Sequence, residues 1–125
     1  MKVLFDTNAY LLWLDDKSIP RATRRVLEKA NTECAVSIVT CWEIAMKPSL
    51  RLTATAVETG IANLGATILP IRMAHLTELS SLPLFSDHLD PFDRLLIAQA
   101  ISEDLTMVSS DTRFPMYKRL RLLWD

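Results

Sequence analysis

Five short apolar runs punctuate the chain, at residues 2–5 (KVLF), 34–39 (CAVSIV), 66–71 (ATILPI), 105–110 (LTMVSS) and 120–124 (LRLLW). Each reads as a strand, and most lie between stretches with helical periodicity and helical end signals. Thr7 or Asn8 caps a first helix carrying Tyr10, Leu11, Leu12, Trp13 and Leu14. After Asp15-Asp16-Lys17, Ser18 and Pro20 open a second through about Asn31, with Val26, Leu27 and Ala30 inward and Arg21, Arg24, Arg25, Glu28 and Lys29 outward. Thr40 begins a third helix, stopped at Pro48. A fourth runs from Thr53 or Thr55 to Leu64, where Gly65 suits a left-handed terminator. Helices over residues 73–81 and 91–102 and a short segment from Phe114 to Tyr117 complete the pattern. Strands that alternate with helices predict an α/β fold: a three-layer α/β/α sandwich with a mainly parallel central sheet of about five strands. Pro70 sets the third strand near an edge. No repeat, low-complexity tract or linker interrupts the pattern, so a single domain over residues 1–125 is expected.

Half of the residues are hydrophobic and 23% are charged, as in a packed globular core rather than a disordered chain. The formal charge of −1 excludes a nucleic-acid binder that works by bulk attraction, but not a local basic rim around an acidic site. No run approaches the roughly 18 apolar residues of a membrane span, and the N-terminus lacks a signal pattern, so a cytoplasmic location is expected. Cys34 and Cys41 stand outside any CxxC motif, in a chain with two histidines; both read as buried small hydrophobes rather than a zinc site or a disulfide.

In open α/β sheets, ligands bind beyond the carboxyl ends of the strands, which makes the positions of the acids informative. Asp6 ends the first strand and Glu43 follows the second. Asp90 and Asp93 open the helix before the fourth strand, and Asp111 follows that strand. Each has an ordinary explanation. Thr40-Cys41-Trp42-Glu43 matches a capping box, Asp90-Pro91-Phe92-Asp93 a favourable helix start, and Asp6 and Asp111 sit in turn sequences. Together they form a set of mutually repelling carboxylates that needs raised pKa values or a cation. Oxygen donors suit Mg²⁺ or Mn²⁺.

The blocks LFDTNAYLLWL, SIVTCWEIAMK, HLDPFDRLLIAQA and MVSSDTRFPMY resemble, in order and interval, the four signature blocks of PIN-domain proteins, in particular the VapC-type toxin ribonucleases of toxin–antitoxin pairs. The resemblance implies that Asp6, Glu43, Asp93 and Asp111 are the family's four catalytic and metal-holding acids, with Mg²⁺ or Mn²⁺ as cofactor and RNA as substrate. Asp90 matches an additional, secondary acid, and Thr7, Asn8 and Ser109 match polar positions that line the pocket. Similar sequences often carry glycine near residue 51, where this chain has Arg51; Lys47, Arg51 and Arg72 are candidates for RNA contact. The resemblance also implies a homodimer and a small antitoxin that inserts a basic residue into the acidic pocket, with Leu11, Leu12 and Trp13 as candidate contact residues.

The same reading expects Arg94 to be a surface or carboxylate-pairing arginine before a phosphate contact, and His75 and His88 to be structural or exposed rather than catalytic. Tyr10, Trp13 and Trp42 are expected in core or subunit contacts. A haloacid-dehalogenase-like phosphatase would need a second Asp where Asn8 stands, and a receiver domain would need paired acids after the first strand. A non-catalytic PIN-like binding module is the remaining alternative.

Overall fold

The computed structural model describes residues 1–15 and 18–125; Asp16 and Lys17, between the first two helices, lie outside the described residues. Five strands, β1 (Lys2–Phe5), β2 (Glu33–Ser37), β3 (Thr67–Leu69), β4 (Thr106–Val108) and β5 (Arg121–Leu123), form one sheet in the order β3-β2-β1-β4-β5. Every pairing is parallel, so the expected mainly parallel sheet is wholly parallel. β3 is an edge strand, as Pro70 predicts. Among the described residues, six helices flank the sheet: α1 (Thr7–Leu14), α2 (Arg21–Leu27), α3 (Ile38–Ala45), α4 (Ala54–Asn63), α5 (Met73–Ser81) and α6 (Pro91–Ser102). Two 3₁₀ turns, Pro48–Leu50 and Phe114–Met116, follow α3 and β4.

Alternation along the strands builds a core on each face. Leu4 and Met107 pack with Leu79, Leu82, Leu95 and Leu96 on the α5/α6 side, while Val3, Phe5, Val36 and Val108 pack with Ala9, Tyr10, Val57 and Ile61 on the α1/α4 side. Successive side chains of a strand point to opposite faces, and with both faces covered β1 has no polar alternation. Val3, Leu4 and Phe5 are at most 1% exposed, and each contributes roughly 1.5–3 kcal/mol by its burial.

Several boundaries differ from the sequence expectation. Ser37, not Thr40, caps the third helix: its Oγ accepts from the Val39 N–H, which leaves residues 38 and 39 in the first helical turn rather than in the strand. Asp6 itself, rather than Thr7 or Asn8, caps α1. The second helix ends at Leu27 instead of near Asn31, and Thr32 Oγ1 donates to the Val26 carbonyl beyond that end. Trp42 is 51% exposed, its ring edge-on to Phe92 at 4.9 Å, so it is not a core residue. Cys34 and Cys41 are free and half-buried rather than buried. Among the described residues, no helix is long and apolar enough to cross a membrane.

Candidate active site

A cleft of about 280 Å³ at the carboxyl ends of the central strands is lined by Asp6, Thr7, Asn8, Leu11, Glu43, Lys47, Asp93, Ser110 and Asp111. Four segments distant in sequence bring their acids together here. Asp6 is placed by β1, whose hydrogen-bond ladder continues through the Asp6 N–H to the Val108 carbonyl. Its Oδ1 accepts from the Ala9 N–H at 2.7 Å and its Oδ2 from the Ser109 hydroxyl. Burial pushes the Asp6 carboxyl up from 3.8 to about 6, against the opposing effect of these two hydrogen bonds, with Asp93 and Asp111 adding repulsion.

Glu43 lies in the second turn of α3 and is buried. Thr7 Oγ1 donates to its Oε1 at 2.6 Å, and Lys47 Nζ, one turn on, lies 3.0 Å from its Oε2. A hydroxyl has one hydrogen; with that of Thr7 directed to Glu43, the 3.1 Å contact between Thr7 and Thr40 has the Thr40 hydroxyl as donor. Thr40 therefore supports Glu43 through Thr7 and takes no part in a capping box.

Asp93 stands in the first turn of α6, where its N–H is capped by Asp90 Oδ1 at 2.9 Å. Its carboxyl is raised chiefly by burial and next by the charge of Asp90, partly offset by His88. Asp111 follows β4, and Arg113 engages both of its oxygens, Nε to Oδ1 at 3.1 Å and Nη2 to Oδ2 at 2.8 Å; this hydrogen-bonded ion pair holds its carboxyl below the usual value. Ser109 ties the two ends of the site together: its Oγ donates to Asp6 and accepts from the Asp111 N–H at 3.1 Å.

The secondary residues divide. Thr7 and Asn8 line the cleft, whereas Ser109 is buried among the acids and Ser110 takes the lining position. Asp90 is an exposed helix cap that does not line it. Arg94 is neither at the surface nor paired with a carboxylate among the described residues: it is buried, donating through Nη1 to the Pro83 carbonyl and the Tyr117 hydroxyl. Of the candidate RNA contacts, Lys47 lines the cleft beside Glu43, while Arg51 and Arg72 do not. Arg51 has φ 54°, the left-handed conformation that glycine adopts most readily. Thr40 entered the sequence reading only as a helix cap, and Ser110, Arg113 and Tyr117 were not assigned to the site. Arg113, two positions after Asp111, carried a signal as a short-range ion-pair partner.

The donors that line the cleft are oxygens, and a ring nitrogen of His88 lies behind them, within 4.8 Å of oxygens of Asp93 and Asp111. The cleft acids offer carboxylate oxygens backed by hydroxyls, which matches Mg²⁺ or Mn²⁺ and not a soft metal. Asp6 and Asp93, both pushed toward protonation by burial and by neighbouring acids, are relieved when a cation joins them.

No curated protein matches the chain in sequence. Among solved structures, it is similar to a chain of VapBC2 from Rickettsia felis bound to a DNA fragment from its promoter, with 17% identity, a TM-score of 0.74 and 100% of each chain covered. It is similar too to a chain of DNA-bound VapBC from Salmonella typhimurium, with 17% identity, a TM-score of 0.67 and 98% of this chain against 97% of the other. A toxin–antitoxin complex from Klebsiella pneumoniae aligns at 22% identity, a TM-score of 0.59 and coverage of 89% and 88%. Residues 3–120 match the PIN domain family over the span that carries the sheet's core and every cleft acid, and the chain belongs to that family.

Proposed function

We propose that the protein is a Mg²⁺- or Mn²⁺-dependent endoribonuclease of the VapC type, the toxin of a toxin–antitoxin pair. The observation that carries this reading is the meeting of Asp6, Glu43, Asp93 and Asp111 in one cleft, with Asp6 buried and raised to about 6. Asp6 and Asp93 have no lysine or arginine ion pair among the described residues, which suits them as direct ligands. Asp111, engaged by Arg113, acts through water or after releasing that arginine, and Glu43 orients the attacking water or holds a second ion. When bound, the cation polarises the phosphoryl oxygen and lowers the pKa of water. Lys47 supplies positive charge at the cleft to meet the phosphodiester anion.

Attack by water forms a new P–O bond and breaks the bond to the 3′ oxygen, which takes up a proton. The products are a 5′-phosphate and a 3′-hydroxyl. Solved neighbours described as VapBC and as a toxin–antitoxin complex support an antitoxin as partner; a homodimeric toxin is part of the same proposal and rests on the sequence resemblance alone. A second reading, a non-catalytic binding module, draws on the neutralisation of Glu43 and Asp111 by the chain's own Lys47 and Arg113.

Purified antitoxin-free protein, incubated with total RNA and Mg²⁺, Mn²⁺ or EDTA, distinguishes the two. Discrete metal-dependent fragments with 5′-phosphate ends, lost in folded Asp6→Asn and Asp93→Asn, are expected. Equal activity in those variants would place the chemistry elsewhere, and no cleavage of any RNA class would favour the binding module.

A further inference from the structure

The chemistry above makes no use of His88, yet this imidazole is fully buried and both of its nitrogens are engaged. Nε2 lies 3.3 Å from Asp93 Oδ2, and Nδ1 lies 2.7 Å from the Tyr117 hydroxyl. The Tyr117 oxygen is in turn 3.0 Å from Arg94 Nη1. Phe114 packs against the His88 ring at 5.5 Å and Phe85 against Tyr117 at 5.1 Å, so the chain of contacts sits in an aromatic setting.

The direction of this chain is set at its arginine end. A guanidinium only donates, so the Tyr117 oxygen accepts from Arg94, and the tyrosine's single hydrogen is free for His88 Nδ1. An Nδ1 that accepts carries no hydrogen, and the ring hydrogen of neutral His88 then sits on Nε2, directed at Asp93. The opposite tautomer would set the Nε2 lone pair against a carboxylate oxygen and leave the tyrosine hydrogen without an acceptor, both costly in a buried site. Arg94 also holds the Pro83 carbonyl at 2.9 Å, which fixes the start of the loop that carries His88.

We propose that His88 is a positioning residue for Asp93: held as the Nε2–H tautomer by Tyr117 and Arg94, it binds Asp93 Oδ2 and turns the remaining lone pairs of that carboxylate toward the cleft. This rests on the reading of the cleft as a divalent-cation site. Partners that donate to or orient a metal-ligating group set its direction and basicity, and here the partner acts on the carboxylate from within the protein. A ring nitrogen of His88 and oxygens of Asp93 and Asp111 lie within 4.8 Å of one another, so direct ligation by His88 is the competing outcome; the positioning role holds Nε2 on Asp93, where the buried imidazole stands in this structure.

Three variants and two readouts test the proposal. His88→Gln retains an N–H donor of similar reach, His88→Leu removes it, and Tyr117→Phe keeps the ring while deleting the hydroxyl that selects the tautomer. In metal-free protein with ¹⁵N-labelled histidine, long-range ¹H–¹⁵N correlations should show His88 with its hydrogen on Nε2, and Tyr117→Phe should lose that fixed form. In calorimetric titration with Mn²⁺, His88→Leu should bind roughly tenfold to hundredfold more weakly, Tyr117→Phe should weaken in the same direction, and His88→Gln should stay close to wild type. Tight Mn²⁺ binding by wild type with unchanged binding in folded Tyr117→Phe and His88→Leu would overturn the positioning role and leave the cleft reading intact. A hydrogen on Nδ1 in wild type, or a histidine nitrogen coupled to Mn²⁺ in electron spin-echo spectra, would also overturn it. Absence of Mn²⁺ binding in wild type would overturn the cleft reading and the positioning role together.

Discussion

Asp6 gives one oxygen to the cap of α1 and the other to Ser109, and still lies where its charge is poorly solvated. A carboxyl raised from 3.8 to about 6 means that the folded state binds the proton more tightly than the unfolded chain. Below the unfolded value both states are protonated and the group costs nothing. As pH rises through about 6, the folded metal-free protein loses stability, by an amount on the order of 3 kcal/mol from this shift. Asp6→Asn removes the charge and retains an amide oxygen for the Ala9 N–H. Urea unfolding in EDTA at pH 8 should find the variant about 1–3 kcal/mol more stable than wild type; a less stable variant would show that burial does not penalise this carboxylate. The position of Asp6 was legible from the apolar run before it. So was its cover, since the apolar strand it ends is buried; its partners were not, because Ser109 and Val108 lie about a hundred positions away.

At the scale of elements, the α/β alternation was legible because each strand is a short apolar run and each helix carries end signals. Boundaries failed where the period changes without a change in polarity. Ile38 and Val39 continue the apolar character of β2, yet they form the first turn of α3 because Ser37 caps it and Val39 is buried there. Buried Ser37 also donates to Gln99 Oε1, joining α3 to α6. Ser37→Ala removes a cap and strands the Gln99 oxygen, for a combined loss of about 2 kcal/mol in urea unfolding. Retained stability would mean that the Ser37–Gln99 contact does not hold α3 to α6. Asp90 illustrates the converse: its cap role at α6 was legible from Asp-Pro-x-Asp, and the structure keeps it exposed at that cap and out of the cleft.

For the whole molecule, the parallel sheet is what makes the cleft. Strand order β3-β2-β1-β4-β5 sets β1 between β2 and β4, so the segments after β1, β2 and β4 emerge side by side with Asp6, Glu43 and Asp111, and α6 brings Asp93. The set of acids was legible from strand-end positions and from resemblance to PIN-domain proteins. The buried run from Arg94 through Tyr117 to His88 was not, since neither strand nor helix periodicity relates residues 23 and 29 positions apart. A cation that joins four segments exists as a ligand of the folded state alone, and so must stabilise it by mass action. The most direct test is thermal unfolding of wild type, Asp6→Asn and Asp93→Asn with increasing Mn²⁺ at pH 8. At about a hundredfold excess over the dissociation constant, wild type should gain roughly 2.7 kcal/mol, a rise of about ten degrees in Tm, and neither variant should move. A wild-type Tm that does not respond, or variants that respond as wild type does, would contradict a carboxylate-held cation in this cleft.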